Sequence, residues 1–227
     1  AQWGVQAIPE VKKGVAKLTL NTQIENPSGR NRKVTVRQKL WNKAHQLVAQ
    51  TTKTLNVEAS GATVTQQMRA QKPQLWSLAS PYLYTVTTEI VENGRVLDTE
   101  TTTIGFRTIA FDVEKGFFLN GENIKLNGVC LHGDLGCLGA AVNEDALHRQ
   151  LIMMKEMGAN AIRCSHNPPA PELLDLCDSM GFVVVDESFD SWLQGKTPYD
   201  YSLHFKSWYE RDLRDMVLRD RNHPSII

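Results

Sequence analysis

The sequence has no long hydrophobic run and no signal-peptide pattern. No stretch approaches the roughly 20 apolar residues that a membrane-crossing helix needs, so we predict no membrane partner. The first residues lack the basic and then apolar character of a secretory signal. The compartment therefore stays open: cytoplasm, or periplasm and exterior if an export signal stood upstream.

Cysteine is absent from the first half of the chain, which therefore holds no disulfide. All four cysteines lie in the second half, at Cys130, Cys137, Cys164 and Cys177. Their spacing fits no zinc-binding pattern and includes no Cys-x-x-Cys pair. Cys130 and Cys164 end predicted strands, so we expect buried free thiols and not disulfides.

The 227 residues as a whole have no net charge, but acidic residues are scarce in the first half and basic residues are the minority in the second. Residues 1–107 hold 14 Lys and Arg against 7 Asp and Glu, whereas residues 108–227 hold 11 against 18. This change, with the length, predicts two domains, 1–109 and 110–227. The basic side chains of the first half are spread singly through alternating segments. That spacing is typical of solvated strand faces, so no nucleic-acid partner is predicted.

Residues 1–109 are predicted to form a β-sandwich. Residues 33–41 alternate polar and apolar side chains, as a half-buried strand requires. Asn93-Gly94 is typical of a tight hairpin turn between two further strands. About seven such strands in about a hundred residues indicate an immunoglobulin-like fold. Nothing in this half is typical of a catalytic site, and Trp76 is expected to anchor a loop in the core.

Residues 110–227 change to a strand-then-helix pattern. Predicted strands cover 124–130, 161–165 and 182–185, and residues 225–227 begin a fourth. The helices are expected to begin after Asn143, at Pro171 and near Phe205. Parallel βα units in this order predict an incomplete (β/α)8 TIM barrel of about three units. The fold class is therefore multi-domain, β followed by α/β.

Polar side chains cluster where each predicted barrel strand ends. Parallel βα folds place their chemistry at the carboxyl ends of the strands, because these ends meet at one edge of the sheet. Carboxylates, imidazoles and a guanidinium can bind sugar hydroxyls, and an indole can stack on a sugar's C–H face. The candidate residues are His132, Asp134, Arg163, His166, Asn167, Asp186, Glu187, Asp190 and Trp192.

Five motifs, in this order, resemble glycoside hydrolase family 2. They are Ile104-Gly-Phe-Arg107 with Phe118-Leu-Asn-Gly-Glu-Asn-Ile124, Asn127-Gly-Val-Cys-Leu-His132, Gly158-Ala-Asn-Ala-Ile-Arg-Cys-Ser-His-Asn-Pro168, Cys177-Asp-Ser-Met-Gly-Phe-Val-Val-Val-Asp-Glu187 and Arg219-Asp-Arg-Asn-His-Pro-Ser-Ile-Ile227. The family includes β-galactosidases, β-glucuronidases and β-mannosidases. The resemblance covers nearly all of the chain and implies an immunoglobulin-like domain followed by the opening of the catalytic barrel.

The resemblance implies retaining hydrolysis of a terminal β-galactoside, with two glutamates roughly 5 Å apart as acid/base and nucleophile. Both are expected beyond Ile227, so the chain holds no catalytic residue and is expected to be inactive by itself. The substrate-binding residues implied are His132, Asp134, Arg163, His166, Asn167, Asp190 and Trp192. Asp186 and Glu187 are expected to support the site.

A metal requirement is not implied for this chain. Large bacterial β-galactosidases of the family carry a Glu-x-His step after the Asp-Glu pair, but here the sequence reads Asp190-Ser-Trp-Leu193. We therefore predict no cofactor, and a magnesium or sodium ion in the longer protein is left open.

Three alternatives to a β-galactosidase stay open. β-Glucuronidase or β-mannosidase activity belongs to the same family. A non-catalytic carbohydrate-binding or structural module is a second class. A metal-dependent barrel hydrolase using His132, Asp134, His166 and Asp186 is the third, although no His-x-His step follows the first barrel strand. An open strand edge and an apolar helix face also predict self-association.

Overall fold

The computed structural model describes residues 1–227, which divide into two compact units, Ala1–Thr108 and Ile109–Ile227. The division lies one residue before the predicted boundary. No helix in either unit is both long enough and apolar enough to cross a membrane.

The first unit is an antiparallel sandwich of seven strands, which agrees with the predicted fold and number, although no strand was predicted over residues 5–12 and residues 15–24 form one strand instead of two. The strands are β1 Val5–Lys12, β2 Val15–Ile24, β3 Arg32–Trp41, β4 Leu47–Val57, β5 Ala62–Gln71, β6 Tyr84–Glu92 and β7 Arg95–Ile104. One sheet has the order β1-β2-β5 and the other has the order β4-β3-β6-β7. Buried residues alternate along β3 and β5, so the inward side chains of both sheets form the core.

Trp76 anchors the irregular segment between β5 and β6. Its side chain is completely buried, and its backbone N–H donates to the Phe106 carbonyl at 2.8 Å. Tyr84 lies edge-on to Phe106, with ring centroids 4.9 Å apart, and its hydroxyl accepts from the Gln74 N–H at 2.9 Å. The predicted structural role of Trp76 in the core is confirmed.

The second unit begins with a small antiparallel sheet that the sequence did not predict. It contains β8 Ile109–Asp112, β9 Gly116–Leu119 and β10 Glu122–Asn123. The first barrel strand was predicted from residue 124, but it begins at Gly128. The prediction was wrong there because Ile124 still donates to Phe117 of β9, and parallel pairing starts only where Gly128 meets Ala161.

Three parallel strands and three helices make up the rest of the second unit. They are β11 Gly128–His132, α1 Glu144–Glu156, β12 Ala161–Ser165, α2 Pro171–Met180, β13 Val183–Val185 and α3 Ser202–Asp220. The sheet has the order β11-β12-β13, and Ile226 pairs in parallel with Val184 as the start of a fourth strand. The prediction of an incomplete barrel is confirmed.

Local sequence explains where the first two helices begin and end. The Asn143 side chain accepts from the Ala146 N–H at 2.9 Å and caps α1, with Glu144 and Asp145 in the first turn. Pro171 opens α2, and Gly181 closes it in the left-handed conformation at φ 75°. Leu151, Leu174 and Cys177 then pack against Ile162 and Val184 and cover one face of the sheet.

The opposite face of the parallel sheet is exposed and carries Cys130, Arg163 and Val185, which lie side by side in register. All four cysteines are free, as predicted, but only Cys164 and Cys177 are buried. The expectation of burial was wrong for Cys130 and Cys137. Cys130 points to the exposed face, and Cys137 lies in a short exposed turn, Gly136–Leu138. Burial raises the pKa of the Cys164 thiol to about 12.

Candidate functional site

The nine predicted site residues lie in two neighbouring clefts at the carboxyl ends of the three parallel strands. The Arg163 cleft, about 560 Å³ in volume, contains six of them: Arg163, His166, Asp186, Glu187, Asp190 and Trp192. The His132 cleft, about 610 Å³, is lined by the other three: His132, Asp134 and Asn167. The imidazole rings of His132 and His166 meet edge to face, with centroids 5.5 Å apart. The two clefts therefore adjoin at this pair.

Arg163, His166 and Glu187 form one hydrogen-bonded network in the Arg163 cleft. The Arg163 Nε donates to Glu187 Oε1, and His166 Nδ1 lies 2.9 Å from Glu187 Oε2. The Arg163 Nη2 is also 3.2 Å from His166 Nδ1. The hydrogen bond from Arg163, followed by the one with His166, holds the pKa of Glu187 below its ordinary value. Glu187 is therefore an anion that fixes both a guanidinium and an imidazole.

Asp190 and Trp192 lie on the loop between β13 and α3. Asp190 Oδ1 accepts from Lys196 Nζ at 2.6 Å, and this hydrogen bond lowers the pKa of Asp190. The indole of Trp192 stacks on Phe205 of α3, with centroids 5.6 Å apart, and is 62% exposed. An indole held on one side and open on the other is available for stacking on a ligand.

Asp186 and Glu187 are neighbours in sequence but have different surroundings. Asp186 lies beside Asp220, in the last turn of α3, and its Oδ1 is buried without a hydrogen-bond partner. Burial first, then the charge of Asp220 and a hydrogen bond to it, raise the pKa of Asp186 to about 7, although Arg219 opposes the shift. Asp186 thus contacts the helix end, and Glu187 contacts the basic groups of the cleft.

The raised pKa predicts how Asp186→Asn changes stability with pH. The folded carboxyl binds a proton more tightly than the unfolded one, so wild-type stability falls as pH rises from the unfolded pKa of about 4 to the folded value of about 7. The amide variant does not carry this cost. We expect it to be more stable than wild type by about 1 kcal/mol at pH 8, after allowance for solvent screening, and similar at pH 4.

Urea unfolding of the chain at both pH values measures this difference. Asp190→Asn is the matched control, because its carboxyl has a lowered pKa and its loss removes an exposed ion pair. That control should be neutral or slightly destabilising at pH 8. An equal gain in the free energy of unfolding for Asp190→Asn and Asp186→Asn at pH 8 would contradict a raised pKa at Asp186.

Three residues that contact the predicted site were not identified from the sequence. Lys196 pairs with Asp190, and Cys130 Sγ lies 3.9 Å from Arg163 Nη1. Asp200 binds several groups of the loop that carries Trp192. Asp200 precedes Tyr201, the N-cap of α3, and accepts from the Ser202 N–H two residues on, as aspartate does in local turns. The predicted helix began three residues late, so this turn was not identified.

His223, to which the sequence assigned no site role, lies in a half-buried contact at the other end of the sheet. Its Nδ1 is 2.6 Å from Asp178 Oδ2, and Asp178 Oδ1 accepts from the Ser225 N–H at 3.0 Å. Burial would lower the pKa of His223, but the hydrogen bond to Asp178 and the charges of Asp178, Asp175 and Asp220 raise it overall. The segment leading into the fourth strand is therefore held by a carboxylate of α2.

The fold and the site define a two-domain protein, a sandwich followed by parallel βα units with a polar cleft at the strand ends. Residues 3–107 match the family described as "Glycosyl hydrolases family 2", and residues 111–227 match "Glycosyl hydrolases family 2, TIM barrel domain". The chain belongs to glycosyl hydrolases family 2.

Individual relatives carry two different activity names. The chain is 51% identical to "Beta-galactosidase BoGH2A" of Bacteroides ovatus, over 99% of this chain and 27% of that protein. It is 33% identical to a "Beta-glucuronidase" of Bacteroides fragilis, over 73% of this chain and 25% of that protein. The chain thus spans about a quarter of the length of these relatives.

Solved structures of family 2 glycosyl hydrolases are also similar to this chain. A glycosyl hydrolase family 2 member from Bacteroides cellulosilyticus superposes with a TM-score of 0.97 at 38% identity, over all of this chain and 30% of that one. A Bacteroides uniformis beta-glucuronidase superposes with a TM-score of 0.86 at 30% identity, over 99% of this chain and 27% of that one.

Proposed function

We propose that this chain forms one wall of the terminal-sugar site of a retaining exo-β-glycosidase whose substrate is a β-galactoside. The observation that carries the proposal is the network of Arg163, His166 and Glu187 beside the exposed indole of Trp192. A guanidinium and an imidazole supply donors to hydroxyls or to a catalytic carboxylate, and the indole supplies a stacking surface. His132, Asp134 and Asn167 extend the polar wall into the adjoining cleft.

The charge balance of the Arg163 cleft favours a neutral sugar. Its arginine and its lysine each have an anionic partner, Arg163 with Glu187 and Lys196 with Asp190. A uronate would need a cation to pair with its carboxylate, and drawing one from these pairs would leave a protein carboxylate unpaired. The high identity to a protein named as a β-galactosidase supports the same choice.

β-Glucuronidase is the second candidate within the family, because relatives and solved structures with that name also match. The alternative of another class is a non-catalytic module that binds carbohydrate through the same wall. The catalytic residues expected for the complete enzyme are the two glutamates beyond Ile227. The absence of a cofactor and self-association through the exposed apolar side chains of α3 stay predictions.

The test is binding of methyl β-D-galactoside, β-D-glucuronide and β-D-mannoside to this chain, followed by the indole and imidazole NMR signals. We expect the galactoside to shift the signals of Trp192 and His166, and Trp192→Ala to weaken its binding about tenfold, because stacking contributes about 1.4 kcal/mol. Trp208→Ala is the matched control. This tryptophan is also exposed, but it lies on α3 under Arg211 and outside the cleft.

Hydrolysis of the matching aryl glycosides by the complete enzyme is the second measurement. Preference for the glucuronide in both experiments would mean that the substrate is a β-glucuronide and not a β-galactoside. Galactoside binding by this chain without hydrolysis by the complete protein would favour the binding module.

A further inference from the structure

The loop between β13 and α3 is held together by one carboxylate, that of Asp200. Its Oδ2 accepts from the Ser191 hydroxyl at 3.0 Å, the Lys196 N–H at 2.5 Å and the Thr197 N–H at 2.8 Å. Its Oδ1 accepts from the Ser202 N–H at 3.0 Å and the Ser202 hydroxyl at 2.5 Å. Five donors from three separate points of the loop therefore converge on one side chain.

These donors also fix the charge of Asp200. The hydrogen bond from Ser202 is the largest cause, followed by that from the Thr197 N–H, and together with the other donors they hold the pKa of Asp200 well below its ordinary range. The carboxylate is ionised throughout the neutral range. Charge-assisted hydrogen bonds of this kind are stronger than neutral ones.

The residues that Asp200 binds flank the side chains facing the Arg163 cleft. Ser191, which is 2% exposed, lies between Asp190 and Trp192 in the chain. Lys196, whose N–H binds Asp200, places its ammonium on Asp190. Asp200 itself does not line the cleft. It contacts the backbone and the hydroxyls behind the residues that do.

The packing of the loop around Asp200 is tight. A Cβ atom added at Gly195 would lie 2.7 Å from the Ser202 hydroxyl and 3.3 Å from Asp200 Oδ1, so a larger residue there would displace the Ser202 hydroxyl from its place beside Asp200. On the other side of the loop, Phe189 stacks on Tyr201 at 4.9 Å and meets the Trp192 ring edge-on at 6.3 Å. The indole of Trp192 therefore contacts the rings of Phe189 and Phe205 on one side, and Ser191, its neighbour in the chain, is bound by Asp200.

We propose that Asp200 is a positioning residue that sets the placement of Trp192 and of the Asp190–Lys196 pair at the Arg163 cleft, and thereby the affinity for the terminal sugar. The effect on sugar affinity rests on the proposed function. The placement of Trp192 and of the Asp190–Lys196 pair does not, because it concerns the geometry of the loop without sugar.

The experiment uses the chain with Asp200→Ala and Asp200→Asn, without sugar at first. We expect amide exchange at Lys196, Thr197 and Ser202 to accelerate by about tenfold or more, because their acceptor is removed. We also expect the Trp192 indole N–H signal to move as the ring leaves Phe205, while the Trp76 signal stays in place. Asp200→Asn keeps the size of the side chain and one acceptor oxygen but turns an NH2 group toward the other donors, so its effect should be smaller than that of Asp200→Ala.

Asp215→Ala is the matched control, since this aspartate lies on α3 and pairs only with nearby arginines. It should leave both signals unchanged. Ser191→Ala removes one of the five hydrogen bonds and should give a smaller shift of Trp192 than Asp200→Ala. An unchanged Trp192 signal and unchanged exchange in both Asp200 variants would overturn the positioning role.

Methyl β-D-galactoside is then added to the same samples. We expect its dissociation constant to rise about tenfold in Asp200→Ala and to be unaffected in Asp215→Ala. Unchanged affinity despite a displaced indole would overturn the link between Asp200 and sugar binding. No binding to the wild-type chain would count against the proposed function and the affinity claim together, while the exchange and indole signals would still decide the positioning role.

Discussion

Asp178→Ala is expected to lower the free energy of unfolding of residues 109–227 by about 3 kcal/mol. Asp178 is 1% exposed and serves two groups at once, His223 through Oδ2 and the Ser225 N–H through Oδ1. Removing it leaves a buried backbone donor unpaired, which costs about 1–3 kcal/mol, and breaks a buried ion pair, which costs about 3–5 kcal/mol when the remaining charge stays. His223 can lose its proton, so the lower end applies. Urea unfolding followed by circular dichroism measures the loss.

The same contact predicts a pH dependence. The pKa of His223 is raised in the folded state, so its stabilising contribution is complete below the unfolded pKa of about 6.5 and is lost as pH rises through the higher folded value. Asp178→Asn keeps an acceptor for the Ser225 N–H and removes the charge. It should therefore cost less than Asp178→Ala and reduce the part of the pH dependence that comes from His223, since the charges of Asp175 and Asp220 remain. Equal stability of wild type and Asp178→Ala at pH 6 would contradict this account.

Trp76→Ala is expected to destabilise the sandwich by about 3–5 kcal/mol, the usual cost of removing a fully buried large aromatic side chain. The segment from residue 72 to residue 83 forms no strand or helix, and Trp76 is its fully buried side chain, while Leu75 and Tyr82 pack against the core less completely. Thermal unfolding should show the sandwich melting at a lower temperature. The barrel unit should keep its own amide-exchange protection.

Trp41→Ala is the control in the same unit. Trp41 is half-buried and its indole N–H donates to Thr87 at 3.0 Å, so its removal should cost about 1 kcal/mol. A loss for Trp41→Ala as large as that for Trp76→Ala would indicate that general loss of aromatic surface explains the effect. The loss of stability in Trp76→Ala would then not be specific to the position of Trp76 in the core.

Local signals predicted much of the fold. Strand β12 was predicted with its observed bounds, and Asn143 and Pro171 marked the starts of α1 and α2 because helix-start signals act over three or four residues. β1 was missed. It contains Pro9 near its middle, which is tolerated because β1 is an edge strand that pairs only with β2. Edge position is a property of the assembled sheet and is not written in the segment itself.

The candidate site was predicted through strand ends, and its finer contacts were not. That rule placed Arg163, His166 and Glu187 together, since parallel strands in register bring their ends to one edge. It did not show that His132 would line a separate cleft. The contact of Asp178 with His223 joins residues 45 positions apart, and no periodicity or spacing connects them.

Because Asp186 and Glu187 have opposite surroundings, their electrostatic contacts help to fix the register of β13 against β12. A slip of one residue along this three-residue strand would carry the ionised Glu187 toward Asp220 and leave Arg163 without its anion. Among the three valines themselves such a slip exchanges identical side chains, so within the apolar packing only the displacement of the buried Phe182 would oppose it. The two adjacent carboxyl groups, one with a raised pKa and one with a lowered pKa, thus specify the alignment of a strand whose three valines do not distinguish one register from the next.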